Sequence, residues 1–384
     1  MESRFAGKLF AFFLLPLMVL PFLRFRAPGN SASFSAGSVS EAAHMQIARA
    51  SHSSTLLPDG KVLIAGGFGG SGTESSPYRS TEIYDPRTGS FQPAGNMTIG
   101  RTGHTATLLK NGKLLIAGGW TGRYNVRRSA ELYDPATGVF APTGDMVVER
   151  AGNTAALLPD GRVLVAGGEE PSENALSSAE VYDPSTGKFT RTGDMTEPRG
   201  EATATALRNG KVLIVGGGSG HYPSQNVYLS AELYDPATGK FTSTGQMAVG
   251  RHKHAAVLLG SGKVLVVGGS DNRDWHGEYS SAEIYDPATG MFSVTGTMST
   301  ARFKLPYAAV LLGNGTVLVA GGGSFAEVYD ESKRSFSKVE GSLGAARFFA
   351  SATVLPDGKA LITGGYAESG GDLPSTTGAW IYRP

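Results

Sequence analysis

Cysteine is absent from all 384 residues. That excludes disulfides, thiolate-held metals and cysteine nucleophiles. Net charge is nearly absent as well: 34 Lys and Arg stand against 33 Asp and Glu, a formal +1. There is no bulk positive field to attract nucleic acid, so no nucleic-acid partner is expected. Helix-period patterning is missing from the long C-terminal part, and long apolar runs are missing with one exception. The exception is the 15 residues Leu9–Leu23, preceded by Arg4 and Lys8 and followed by Arg24 and Arg26. It is short for a membrane span of about 20 residues and has the length of a secretory apolar segment. Residues 1–26 therefore read as a signal peptide or N-terminal membrane anchor. No sharp Ala-x-Ala site follows, only Ser31-Ala32-Ser33 and Ser35-Ala36-Gly37, which leaves an uncleaved anchor as the alternative. Residues 27–38 are a small polar linker. The expected location is extracytoplasmic: periplasmic, secreted, or anchored on the outer side of a membrane through this segment alone.

What the chain has in abundance is glycine, 54 residues of it, placed with a period. Gly-Gly pairs begin at Gly66, Gly118, Gly167, Gly216, Gly268, Gly321 and Gly364, at steps of 43 to 53 residues. An arginine opens each unit: Arg49, Arg101, Arg150, Arg199, Arg251, Arg302 and Arg347. Arginine and first glycine are 17 residues apart in six units and 19 in the sixth. Between them lie two apolar stretches split by Asp-Gly or Asn-Gly, as at Asp59-Gly60, Asn111-Gly112, Asp160-Gly161 and Asp357-Gly358. Such a pair between apolar runs predicts a hairpin, because both residues tolerate positive φ. A third strand carries Tyr-Asp-Pro in five units, and a turn leads to a fourth strand with an aromatic. Four short strands, a to d, repeated seven times at this period predict an all-β fold, a seven-bladed β-propeller over residues 39–384.

Gly-Gly after strand b, Tyr in strand c and an aromatic in strand d resemble the kelch repeat family over about residues 45–384. The resemblance implies four-stranded kelch-type blades. Kelch blades usually place Trp in strand d; here Phe91, Phe140, Phe189, Phe241, Phe292 and Phe336 fill the slot with a smaller ring. The resemblance extends to galactose-oxidase-like copper radical enzymes, whose cofactor needs a cysteine bonded to a tyrosine. A cysteine-free chain cannot build it, so the architecture is expected without the copper radical site and without any cofactor. The chain stops at strand c of blade seven, Trp380-Ile381-Tyr382. An open ring would leave bare sheet edges. The segment Ser33–Met45 is therefore expected to supply the missing outer strand.

Blade topology puts a–b and c–d turns on one face and b–c and d–a loops on the other. The second set varies, and variable loops on a rigid scaffold carry function. That face offers Trp120, Arg123, Tyr124, Arg127 and Arg128; Glu169 and Glu170; His221 and Tyr222; and Asp271, Arg273, Asp274, Trp275, His276, Glu278 and Tyr279. Aromatics beside carboxylates and arginines suit sugar or peptide ligands. Blade six adds two residues and Pro306 to its strand-a region and shortens its b–c loop to four residues. A strand-a bulge and a notch in the rim are expected there, with Arg302, Lys304 and Tyr307 as ligand contacts. Six glutamates stand two residues before the strand-c tyrosine: Glu82, Glu131, Glu180, Glu232, Glu283 and Glu327. They predict pairing of arginine with glutamate inside each blade. Blade seven has Trp380 there instead, which leaves Arg347 as the arginine available to a ligand. His52, His104 and His254 share one repeat position and are spread round the ring; His252 and His254 lack a third ligand, so no metal site is read. The expected function is an exported, monomeric binding module for a carbohydrate or protein. The alternatives are a periplasmic sugar mutarotase or epimerase of the sialic-acid type, with His276, Asp274 or Glu278 as acid–base groups, and a scaffold of an envelope complex.

Overall fold

The computed structural model describes residues 36–70, 76–122, 125–220, 224–367 and 374–384. The expected signal or anchor segment 1–26 and most of the linker lie outside them. Blade one runs Ser53–Leu56, Val62–Ala65, Thr81–Asp85 and Ser90–Pro93, a four-stranded antiparallel sheet in chain order. Blades two to six repeat it. Blade seven takes Ser351–Val354, Ala360–Thr363 and Ala379–Arg383 from the C-terminus and Ser38–Glu41 from the N-terminus. Val39 lies opposite Tyr382 and Glu41 opposite Trp380, so the ring closes as the missing outer strand required. The strand a of each blade neighbours that of the next, completing a circle around a central channel.

The core lies between blades. Every residue of strand b in blade one, Val62–Ala65, is buried, because a neighbouring blade covers each face of the sheet. Val62 and Ile64 pack with Leu361 and Ile381 of blade seven, while Leu63 and Ala65 pack with Leu114 and Ile116 of blade two. On strands c and d, Tyr84–Phe91, Tyr133–Phe140, Tyr182–Phe189, Tyr234–Phe241, Tyr285–Phe292 and Tyr329–Phe336 stack at 4.7–4.9 Å between ring centres. Phenylalanine thus fills the strand-d slot. The tyrosine hydroxyl bonds the preceding blade, as in Tyr182 Oη to Thr143 Oγ1 at 2.8 Å and Tyr234 Oη to Thr192 Oγ1 at 2.9 Å.

The Gly-Gly pair is a blade-to-blade joint. Gly67 N donates to Arg101 O at 2.8 Å, and the second glycine of every blade makes the same bond to the next blade's arginine carbonyl, ending with Gly365 N to Arg49 O at 3.0 Å. A Cβ on Gly66 would stand 2.5 Å from Arg101 O, and Gly66 and Gly67 hold φ of +66° and +85°. Only glycine meets both conditions. The a–b turns differ from the expected pattern. Leu109 N bonds Lys113 O, leaving a three-residue loop in which Gly112 alone is left-handed, at φ +81°. Asn111 instead accepts a hydrogen bond from Lys113 N at 3.1 Å. This matches a type I turn followed by one left-handed residue.

Candidate functional site

Six of the seven opening arginines are structural. Each is buried and lies 2.8–3.1 Å from its own blade's glutamate: Arg49–Glu82, Arg101–Glu131, Arg150–Glu180, Arg199–Glu232, Arg251–Glu283 and Arg302–Glu327. Arg49 Nη1 also donates to Gly66 O at 2.7 Å, while Glu82 Oε2 accepts from Gln46 N at 2.7 Å. Carboxylate and guanidinium together fasten the crossover between blades. Burial pulls the arginines down from their ordinary proton affinity and the glutamates oppose it. Among the described residues, aromatics from the b–c loops cover the guanidinium in four blades (Tyr78, Tyr228, Tyr279 and Phe325) at 5.0–5.6 Å. Arg302 is therefore corrected from ligand contact to staple: its charge is consumed by Glu327. Arg347 has no carboxylate among the described residues, as expected, yet it is not idle. Its Nε donates to Leu343 O at 3.0 Å and its guanidinium lies 5.2 Å from the Trp380 ring.

The channel mouth on the b–c/d–a face is built from two rings of repeat positions. The inner ring is the residue two places after each arginine: Ser51, Gly103, Gly152, Glu201, Lys253, Lys304 and Phe349. All seven are left-handed, with φ between 52° and 60°. Their backbones join in a circle. Ser51 N bonds Phe349 O, Phe349 N bonds Lys304 O, Leu305 N bonds Lys253 O, Lys253 N bonds Glu201 O, and the chain continues through Gly152 and Gly103 back to Ser51. A left-handed non-glycine residue costs about 1–2 kcal/mol, and such residues gather where function holds them. The outer ring is the residue after Gly-Gly, which in six blades pairs with the residue after the arginine: Phe68, Trp120, Glu169, Gly218, Ser270 and Tyr366.

The two rings give the mouth an apolar arc and a charged arc. Tyr366, Phe68 and Trp120 occupy blades seven, one and two, with Phe303, Phe348 and Trp275 packed beside the first two. Trp120 lies directly over two inner-ring glycines: a Cβ would approach its ring to 2.3 Å from Gly103 and 3.0 Å from Gly152. Across blades three to six the side chains are charged. Lys253 Nζ is 2.9 Å from Asp274 Oδ1 and 3.6 Å from Glu201 Oε2. Glu201 Oε2 also meets His252 Nδ1 at 3.1 Å. Burial raises the Glu201 carboxyl, but Lys253 and His252 outweigh that and hold it at about 2. Glu169, desolvated and facing the Glu201 charge, is pushed up to about 8.

Pro306 and Tyr307 floor the mouth. The extra residues of blade six precede its strand a, Ala309–Leu311, so they form an inward loop and not the expected bulge. Tyr307 crosses the channel, its hydroxyl donating to His104 O of blade two at 3.5 Å. Above it is a cup of about 70 Å³ lined by Ser51, Trp120, Glu201, Lys253, Tyr307 and Phe349, among others. Below it, the strand-a residues Thr105, Thr154 and Thr203 help line a second space of about 210 Å³. Burial, then the Glu201 charge, pushes the Tyr307 phenol up to about 12.

The structure brings together Trp120, Asp274, Trp275, Lys304 and Tyr307 of the residues the sequence singled out. It corrects the expected rim notch. The long blade-five loop reaches towards blade seven: its Trp275 stacks edge-on against Phe303 of blade six and Phe348 of blade seven at 4.9 and 4.8 Å. Lys304 Nζ sits 3.8 Å from the Trp275 ring centre and 3.8 Å from Asp274 Oδ2. Asp271 and Arg273 bind each other at 2.6 Å within their own loop. His276 is exposed at the end of the short helical turn Asp274–His276, and Glu278 lies beyond it, pairing through its backbone with Ser270. Arg123, Tyr124, His221 and Tyr222 lie outside the described residues. His52, His104 and His254 each bond a neighbouring blade's hydroxyl at 2.9–3.0 Å. Among the described residues, no group of three or more His, Asp or Glu is placed to hold a metal. Glu201 and Lys253 were missed as site residues. The signal was available: they interrupt a repeat position that is glycine in two blades.

The family model for the KLHDC2/KLHL20/DRC7 Kelch-repeats domain matches residues 103–323, over half of the chain, and the Kelch motif matches residues 49–98. The chain belongs to the kelch-repeat family. No curated protein gives a significant match to this kelch chain. Among solved structures it is similar to a novel fungal alcohol oxidase of the AA5 family, in complex with copper, at 16% identity and TM-score 0.71, covering 91% of this chain and 77% of the oxidase. It is also similar to YjhT at 16% identity and TM-score 0.54, covering 64% of this chain and 84% of that one. At these identities the likeness is one of fold: a galactose-oxidase-like kelch propeller.

Proposed function

We propose that this kelch propeller is an extracytoplasmic binding module whose ligand, a protein or carbohydrate group, seats in the mouth above Tyr307. One observation carries the reading: seven left-handed positions locked in a backbone circle, with the outer ring beside them, set an aromatic arc and a charged arc around one open cup. An apolar wall with a few fixed polar groups is what a specific small site needs. Kelch propellers act as interaction modules, and the apolar leader-like segment Leu9–Leu23 supports the exported setting;. The test is a thermal-shift screen of the full chain against sugars and short peptides, since a ligand of the folded state raises the melting temperature. The shift is expected to vanish in Trp120→Ala and to persist in Lys110→Ala on the opposite face. A shift indifferent to Trp120→Ala, or lost in Lys110→Ala, places binding elsewhere.

A further inference from the structure

The mouth holds more carboxyl groups than cations to pair with them. Glu169, Glu201 and Asp274 are three carboxyl groups; Lys253 and Lys304 are the two ammonium groups set among them. Lys253 is taken up by Asp274 and Glu201 at 2.9 and 3.6 Å, and Lys304 leans on Asp274 and Trp275. Glu169 is the remainder. Its carboxylate accepts no hydrogen bond and joins no ion pair within 4 Å among the described residues, although the repeat holds it at the mouth through the Ala151–Glu169 pairing. A Cβ on Gly200 would fall 2.7 Å from Glu169 Oε1. On the inner ring, the point a Cβ would occupy on Gly152 is 3.0 Å from Trp120 Cη2 and 3.8 Å from Glu201 Cγ. The bare backbone of Gly152 thus lies close to the Trp120 indole and the Glu201 stem, and that of Gly200 close to the Glu169 carboxyl. Beside them His252, almost wholly buried, leaves Nε2 without a hydrogen bond.

An aromatic face beside a spare carboxyl group, which an arriving cation can deprotonate, is the chemistry that recognises an organic cation. A lysine or arginine side chain adds a methylene stem to lie on the indole and a donor head for the carboxylates. We infer that the cup over Gly152 takes the ammonium or guanidinium end of a lysine or arginine side chain from a protein partner, between Trp120 and the carboxylates of Glu169 and Glu201. This rests on the mouth being the binding site. A narrow cup floored by Tyr307 admits the end of one side chain, which favours a protein partner over a sugar chain. The groups facing Glu169 are Glu201, Glu173 and Lys253; those facing Glu201 are Glu169, Lys253, His252, Lys304 and Tyr307. With Glu169 held near 8, an arriving cation at neutral pH displaces its proton and restores the carboxylate;.

The experiment is isothermal titration of the full chain with acetyl-Gly-Lys-Gly-amide and acetyl-Gly-Arg-Gly-amide, in buffers of differing ionisation enthalpy. The controls are the Nε-acetylated lysine peptide, glucosamine and glucose. The cationic peptides should bind and release close to one proton at pH 7, with affinity rising up to about tenfold per unit between pH 6 and 8. Glu169→Gln should abolish the proton release, and Trp120→Ala should weaken binding about tenfold, with melting temperatures unchanged. Equal binding of the acetylated peptide overturns the inference, as does tighter binding of glucosamine or no binding of the cations. A neutral sugar that binds and is lost in Trp120→Ala overturns it too, while leaving the mouth as the site. Cation binding indifferent to Trp120→Ala overturns both.

Discussion

At the residue scale, one repeat position does different work in different blades. Three places after the opening arginine stand His52, His104, Asn153 and His254, each reaching the neighbouring blade through a side-chain nitrogen. Burial, then the nearby arginine, holds the three imidazoles neutral, at about 3. A proton affinity depressed below the unfolded value of about 6.5 stabilises the fold above that pH and is lost as pH falls from 6.5 towards 3. Asn153 shows that an amide serves in the same place. The triple variant His52→Asn, His104→Asn, His254→Asn should therefore lose less melting temperature than the parent between pH 6.5 and 4. Parallel curves would assign the acid sensitivity to other groups. The sequence placed these histidines at equal repeat positions round the ring; the structure shows what they do there, each bonding the neighbouring blade. Glu201 and Lys253 escaped notice because a charged residue in one loop looks like a solvated surface. Only the circle of left-handed positions gives them a common direction.

At the element scale, the arginine–glutamate staple sets how each crossover is tied down. Arg150 and Glu180 are both fully buried. Removing one partner leaves an uncompensated charge in a dry interior, which costs about 3–5 kcal/mol. Arg150→Met should lower stability by that amount in urea denaturation. Arg347→Met, which leaves no buried carboxylate behind, should cost about 1 kcal/mol, the worth of its bond to Leu343 O;. Equal losses would mean that the carboxylate is not what makes the staple costly to break. The pairing was legible because arginine and glutamate recur in register. What recurrence did not reveal is the second duty of the glutamate, which accepts backbone N–H groups from the crossover, as Glu180 does from Val147 and Val148. The blade-six insertion was legible as an irregularity, but its direction was not. Two extra residues carry no sign saying rim or channel; the packing of Phe303 and Leu305 in neighbouring cores turns Tyr307 inward.

At the scale of the whole molecule, Ser38–Glu41 ties the two termini into one ring. Deleting residues 36–44 removes the Val39 side chain from the core shared by blades six and seven, and bares the edge of Ala379–Arg383. At a cost of a few kcal/mol, the whole ring should melt in one transition roughly 5–10 °C lower. An unchanged main transition with a small early shoulder would mean that blade seven frays alone, as in an open repeat array. The period of glycine, arginine and tyrosine determined by itself the number of blades, the strands in each and the way the ring closes. These are local rules: a positive φ, a close approach and a buried charge recur at fixed spacing and demand the same residues each time. The tertiary structure decided how the mouth is assembled. Trp120, Glu169, Glu201, Lys253, Asp274 and Tyr307 come from five blades, and their meeting depends on the curvature of the ring and the lean of loops of unequal length, which no single repeat encodes.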